Sequence, residues 1–167
     1  MNNHFSNDPT RIDRKVVLGL GNILLSDEGL GLHAMQLLRD QIDSSMGVEF
    51  VDGGVLGLDL LPLVETTSHM LVIDAIDAGL SPGSLVELID DQIPRFAGIR
   101  LSQHQLGFQE VLGVAQFRGW VPGHLHLVGV QPASIQLGLE LSAPVTQVLP
   151  QAVNRAKEVL AGWTCRS

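Results

Sequence analysis

Short, nearly continuous apolar runs alternate along this chain with stretches in which apolar residues recur every three or four positions. KVVLGL (15–20), GVEFVD (47–52), HMLVIDA (69–75), SLVELI (84–89) and HLHLVGV (124–130) are of the first kind. Their β-branched, unbroken character predicts strands of a sheet covered on both faces. Between the first two runs, Leu30, Ala34, Leu37 and Leu38 repeat at helical spacing. A second helix is predicted from near Ser102, where Ser102-Gln103-His104-Gln105 fits a capping box. Its apolar stripe is Phe108, Val111, Leu112 and Ala115. In the last helix Val145, Val148, Leu149, Ala152, Ala156, Val159 and Leu160 mark one face, and Pro150 predicts a kink rather than a break.

Strands alternating with helices predict an α/β fold: a three-layer α/β/α domain around a mainly parallel sheet. The chain has 167 residues, 45% of them hydrophobic, and no internal repeat, low-complexity segment or linker interrupts it. One domain over residues 15–163 is therefore expected, behind a polar and disordered tail over residues 1–14. The formal charge of −8, with Lys15 and Lys157 as the only lysines, argues against nucleic acid or an anionic membrane as partner. No run is long enough to cross a membrane and the first residues lack the apolar centre of a signal peptide, so the cytoplasm is the expected compartment. The single cysteine, Cys165, excludes an internal disulfide framework and a cysteine-based zinc cluster, and reads as an incidental tail thiol. With no coiled-coil pattern, a monomer is expected.

In open α/β sheets, ligands gather beyond the carboxyl ends of the strands. The first strand leads into Asn22, Asp27 and Glu28, the second ends in Asp52-Gly53-Gly54, and the third ends in Asp74, followed by Asp77 and Gly79. A dinucleotide reading has Gly19 and Gly21 in its favour, with Asp52 as the acidic residue for a ribose. The third fingerprint glycine is replaced by Leu24, and Asp27 and Glu28 bring the wrong charge to a phosphate-facing helix start. A metal reading uses the same residues better. Glu28 and Asp74 supply hard oxygen ligands from neighbouring strand ends, and a nitrogen ligand would complete an open site for a borderline ion such as Zn or Ni. His104, at the second position of a helix, is the best placed of the six histidines, since the positive helix end favours neutral imidazole. His4 lies in the tail, His33 on a helix surface, and His69 before a strand; His124 and His126 share a strand face and read as packing or edge residues.

Each choice has a bland counterpart. Asp27 and Glu28 can cap the following helix, Asp74 and Asp77 can stabilise a turn before Gly79, and His104 can be solvated. Gly53-Gly54 reads equally as a plain turn or as backbone that a partner chain approaches closely. No G-x-S-x-G elbow and no H-E-x-x-H pair is present, so serine catalysis and a helix-borne zinc site are not expected.

Taken together, GLGNILLSDEGLG (19–31), DGG (52–54), VIDAIDAG (72–79), SQHQLG (102–107) and LVGVQP (127–132) resemble the nickel-dependent maturation endopeptidases of [NiFe] hydrogenases. The motifs follow that family's order and spacing from about residue 15 to residue 160. The resemblance implies a twisted five-stranded sheet between helices. It also implies removal of a short C-terminal extension from the hydrogenase large-subunit precursor after nickel insertion. The family's three nickel-contacting residues fall on Glu28, Asp74 and His104. The nickel is supplied by the substrate precursor, so no tightly bound cofactor of the protein's own is expected. Gln103 stands where relatives often carry proline or another small residue, and the stretch ASIQLGLELSAPV (133–145) matches less sharply, so no site is assigned there. The wording of LVGVQP leans toward processors of uptake hydrogenases.

The expected mechanism is substrate-activated peptide hydrolysis. Nickel held by precursor cysteines meets Glu28, Asp74 and His104 and polarises the scissile carbonyl or an attacking water. One carboxylate serves as general base, and Asp52, Gly53 and Gly54 line the approach of the substrate tail. The rival reading is a non-enzymatic checkpoint module that binds the same nickel site and leaves cutting to another protein.

Overall fold

The computed structural model describes residues 13–95 and 103–164, and only the backbone of residues 94–95, 103–106 and 164. Five strands, β1 (Lys15–Leu20), β2 (Val48–Gly54), β3 (His69–Ala75), β4 (Leu85–Ile89) and β5 (His124–Val130), form one sheet in the order β2-β1-β3-β5-β4. All neighbours pair in parallel except β4, which runs antiparallel to β5. The link from β3 to β4, residues 76–84, is too short for a crossover of the usual dozen or so residues. The chain therefore turns back at this edge, and β5 is later inserted between the two.

Helices α1 (Leu30–Arg39) and α5 (Ala143–Thr164) cover one face. They enclose Val17, Leu71, Ile73, Val128 and Val130 of the strands. The other face is covered by α2 (Leu61–Thr66), α3 (Gln92–Arg95) and α4 (Gln103–Phe117) over Leu18, Leu20, Met70, Val72, Leu125 and Leu127. This is the three-layer mainly parallel arrangement that the pattern predicts. α2 and α3 are too short to leave a helical repeat in the sequence. α5 runs through Pro150 without a break. The start of α4 is where the motif places it, although its proposed cap, Ser102, lies outside the described residues, as do residues 1–12 and Cys165.

Two expectations are corrected. Coverage on both faces holds for the central strands β1, β3 and β5, but β2 and β4 are edges and only partly buried. On α1, Leu37 is exposed, and the buried stripe is Leu30, Ala34, Met35 and Leu38, joined by Leu32. Leu37 and Leu38 are adjacent on the helix, about 100° apart, so only one can face the sheet. Among the described residues no helix is long and apolar enough to cross a membrane.

The amino ends of the strands carry the histidines. His69 and His124, at the paired first residues of β3 and β5, stack with ring centroids 4.4 Å apart. Trp163 of α5 closes on His69 at 5.3 Å. His126 Nε2 lies 2.7 Å from Glu87 Oε1, and Glu87 also accepts two hydrogen bonds from Arg155. The Arg155 guanidinium holds the Glu87 carboxyl below its ordinary range, aided by His126. These contacts tie β4, β5 and α5 together and agree with a packing role for His124 and His126. Arg14, which the sequence assigns to the tail, is anchored here: its guanidinium bridges Glu49 and Thr66, and its carbonyl accepts the N–H groups of Ser68 and His69.

Burial pushes the His69 imidazole below its ordinary value of 6.5, the neighbouring His124 adds to this, Lys15 acts in the same direction, and Asp13 opposes it. The unfolded chain then binds the proton more tightly than the folded one. Stability should be fully present above about pH 6.5 and fall as the pH drops below it. Urea unfolding at pH 7.5 and at pH 5 should show a lower midpoint in acid, and His69→Gln should reduce that difference. An unchanged difference in the variant would remove His69 as its source.

Candidate functional site

The order of strands reverses between β1 and β3, because β1 leads to β2 on one side while β3 and β5 continue on the other. Such a switch point leaves a crevice at the carboxyl ends of the two strands, where their outgoing loops part company. Asp74 is the sixth residue of β3 and Glu28 lies in the 3₁₀ turn Ser26–Gly29 that follows β1. Both are carried to this crevice, and both are nearly enclosed, with 6% of Glu28 and 5% of Asp74 exposed.

Glycines make the approach possible. At Gly21, whose φ is +121°, a Cβ would stand 1.8 Å from the Glu28 carbonyl oxygen and 3.8 Å from Asp74 Oδ1. At Gly31 it would stand 2.2 Å from the Ile73 carbonyl oxygen and 2.3 Å from that of Leu20. The turn and the first residues of α1 thus lie on the strand ends at backbone contact distance, and only glycine fits at either point. The Glu28 carbonyl oxygen and Asp74 Oδ1 both lie on the side of Gly21 where a Cβ would stand. Asp74 Oδ1 accepts the N–H of Ala75 at 2.8 Å, which orients the carboxyl group.

His104 is the second residue of α4, whose start lies near the loop that leaves the carboxyl end of β2. A Cβ on Gly107, one turn further on, would meet Gly57 Cα at 3.2 Å. This seats the start of α4 against the loop that leaves β2. The side chain of His104 lies outside the described residues.

Asp52, Gly53 and Gly54 close β2 beside the crevice, and here a bland reason is visible. The pairing shifts between Gly19 and Leu20, so that Gly19 pairs with Asp52 and Leu20 with Gly54. Gly53 is the extra residue of the bulge. A Cβ there would fall within 2.6 Å of Leu18 Cδ1 and 2.8 Å of Leu20 Cδ2. Gly53 is thus packed tightly on the core, where a larger residue would have to displace the ends of two leucine side chains. Gly54 has φ +40° and its carbonyl accepts the N–H of Gly21 at 3.1 Å, which ties β2 to the loop after β1. Asp52 is exposed, with Oδ1 beside Gly54.

The acidic pair separates into two different roles. Asp27 is 0% exposed and does not cap a helix. Its carboxylate accepts the N–H groups of Ala133 (2.8 Å), Ser134 (2.9 Å) and Ser142 (2.7 Å) and the hydroxyl of Ser142 (2.8 Å). It holds the connection from β5 to α5 against the loop after β1. Asp77, by contrast, does what its bland reading says: Oδ1 accepts the N–H of Gly79 at 3.2 Å and an amide hydrogen of Gln131 at 3.1 Å. The buried Gln131 also accepts from the N–H groups of Ala78 and Leu80, stapling the loop after β3 to the end of β5. His33 is not on the helix surface but half-buried, its ring beside the position a Cβ would take on Gly29, under Ile23.

Sequence reasoning missed the structural office of Asp27 and of Gln131, since their partners lie far along the chain and nothing local marks them. The dinucleotide reading fails on geometry as well as charge, for the space a phosphate would need at Gly21 is filled by the Glu28 backbone.

Comparisons with known proteins identify the family. A family model described as hydrogenase maturation protease matches residues 32–159. The hydrogenase expression/formation protein HupD of Rhizobium leguminosarum bv. viciae is 43% identical over 157 residues, which is 93% of this chain and 78% of that protein. The hydrogenase 2 maturation protease of Escherichia coli strain K12 is 34% identical over 148 residues, 88% of this chain and 90% of that one. Among solved structures, the hydrogenase maturating endopeptidase HybD from E. coli superposes with a TM-score of 0.82 at 34% identity, covering 89% of this chain and 93% of that one.

Asp27 accepts four hydrogen bonds at the rim. Asp27→Ala leaves three amides and a hydroxyl without their acceptor. Since bonds to an ionised group contribute about 1.5–3 kcal/mol each and do not add, a loss of about 3 kcal/mol is expected in urea unfolding. Hydrogen exchange at Ala133, Ser134 and Ser142 should quicken before the rest of the domain. Unchanged exchange at those three amides would show that the carboxylate does not hold the segment.

Proposed function

The chain belongs to the hydrogenase maturation protease family and is a peptidase, and from that premise we propose that it removes the C-terminal extension from the nickel-loaded precursor of a [NiFe] hydrogenase large subunit of the uptake type. The observation that carries this reading is the placing of two enclosed acidic residues, Glu28 and Asp74, at the switch point of the sheet, where the Glu28 backbone and Asp74 Oδ1 both come close to Gly21. The cation in this reading is part of the substrate: nickel already bound by cysteines of the precursor.

Glu28 and Asp74 offer oxygen to that nickel and His104 offers nitrogen, a donor set suited to a borderline divalent ion with positions left open. The three come from separate elements, the turn after β1, the end of β3 and the start of α4. They hold the precursor by its metal with the peptide bond at the rim. The bound nickel supplies Lewis-acid polarisation. One carboxylate takes the proton of the attacking water and returns it to the leaving amine. Asp52 and the glycine bulge at 53–54 border the path of the extension. Isolated, the enzyme holds no cofactor of its own, acts as a monomer in the cytoplasm, and needs neither nucleic acid nor membrane.

Purified large-subunit precursor, nickel-loaded and nickel-free, would be incubated with the enzyme and weighed by intact mass spectrometry. Loss of a C-terminal peptide from the loaded form alone, over many precursor molecules per enzyme, is the expected result. Glu28→Gln, Asp74→Asn and His104→Ala should each slow it by about a hundredfold or more while unfolding cooperatively like the wild type. Normal rates in all three would dismiss the site, binding without a mass change would turn the reading into a checkpoint, and equal cleavage of both forms would remove nickel from it. Metal analysis of the protein purified without precursor should find well under one nickel per chain, because three donors on separate loops make an open, weak site.

A further inference from the structure

The connection between β5 and α5 carries an unusual amount of apolar surface. Ile135, Leu137 and Leu139 alternate with Gln136, Gly138 and Glu140 in the period of a strand. Such alternation ordinarily seats its apolar side on a core. Here only Leu141, the next in the series, packs against the core. Ile135, Leu137 and Leu139 are 55%, 86% and 66% exposed.

The ribbon is nonetheless firmly held. Asp27 pins it at both ends, through Ala133 and Ser134 at one and Ser142 at the other. In the middle, the Gly138 N–H donates to the Leu24 carbonyl at 3.0 Å and the Gly138 carbonyl accepts the Ser26 N–H at 2.8 Å, a lone parallel bridge. A Cβ on Gly138 would stand 2.7 Å from Ser26 Oγ, and Ser26 itself has φ +48°, a left-handed conformation uncommon for a serine. Ile23 and Leu24, 47% and 54% exposed, belong to the loop to which the ribbon is bridged. Five large aliphatic side chains thus form a pre-ordered ledge. It borders the crevice, since Asp27, which pins it, is the residue before Glu28.

We propose that this ledge docks an apolar patch on the folded body of the large-subunit precursor, beside the cleavage site, and so sets the affinity for that substrate. The inference rests on the function proposed above. A contiguous exposed apolar patch marks an interaction surface, and one held in place beforehand loses little entropy on binding. The occupant follows from position. A second copy of this chain seated on the ledge would stand over the mouth of the crevice and bar it to a protein substrate. The precursor is the one partner that must cover the ledge whenever Glu28 and Asp74 are engaged. The cleaved extension enters the crevice, so the ledge is left to the body that precedes it.

Leu137→Ser combined with Leu139→Ser tests this on a nickel-loaded precursor, with initial rates over a range of precursor concentrations. Phe117→Ser serves as control, since Phe117 is 93% exposed at the end of α4 that leads to the amino side of the sheet. The ledge variant should raise KM about tenfold, keep kcat within about twofold and unfold at the wild-type temperature, while the control keeps both constants. An unchanged KM in the ledge variant, with the wild type cutting normally, overturns the ledge and leaves the protease reading in place. A wild-type dimer that the ledge variant splits without a change in KM, read by sedimentation, overturns it in favour of self-association. A wild type that fails to cut the loaded precursor overturns the function on which the ledge rests.

Discussion

The carboxyl rim depends on one close approach: the turn after β1 lies on the ends of β1 and β3 with backbone touching backbone. A side chain at Gly21 or Gly31 would collide with carbonyl oxygens that have nowhere to move, because those carbonyls belong to the sheet or to the turn itself. With glycine at both points, α1 starts directly above the switch point, and the turn delivers Glu28 to within reach of Asp74. The same compression leaves no room for the phosphate that the glycine pattern first suggests. A likeness to nucleotide-binding turns and an unlikeness in function therefore have one cause.

Within that turn, two consecutive acidic residues are put to different uses. The segment Ser26–Gly29 is a 3₁₀ turn, in which neighbours point about 120° apart. Asp27 faces the connection between β5 and α5 and is surrounded by donors, so its charge is fully engaged in holding structure. Glu28 is nearly enclosed, with its backbone against Gly21. The geometry of one short turn thus divides a pair that is alike in composition into an anchor and a ligand candidate. It also couples the connection between β5 and α5 to the position of Glu28, since both hang on the same few residues.

The two ends of the sheet are chemically unlike. The amino end carries the stacked His69 and His124, and the Glu87 carboxylate shared by His126 and Arg155. These groups satisfy one another and serve to join β4, β5 and α5. The carboxyl end carries enclosed carboxylates bordered by exposed leucines and isoleucines.

The sequence alone determined the fold class, the five strands, the long helices and the candidates Glu28, Asp74 and His104, while which strands are central and buried on both faces was decided by the sheet order. Those features are local: unbroken β-branched runs, apolar residues every three or four positions, and polar residues placed at the ends of runs. The tertiary structure alone decided what depends on residues distant in the chain. That Gly53 is a bulge against Leu18 and Leu20, that Asp27 grips Ala133, Ser134 and Ser142 about a hundred residues away, and that Leu37 turns outward are matters of pairing and packing. The alternation from Ile135 to Leu141 shows the limit best. Its period reads as a strand, but whether its apolar side meets a core or solvent depends on which other elements arrive there, and no local pattern records that.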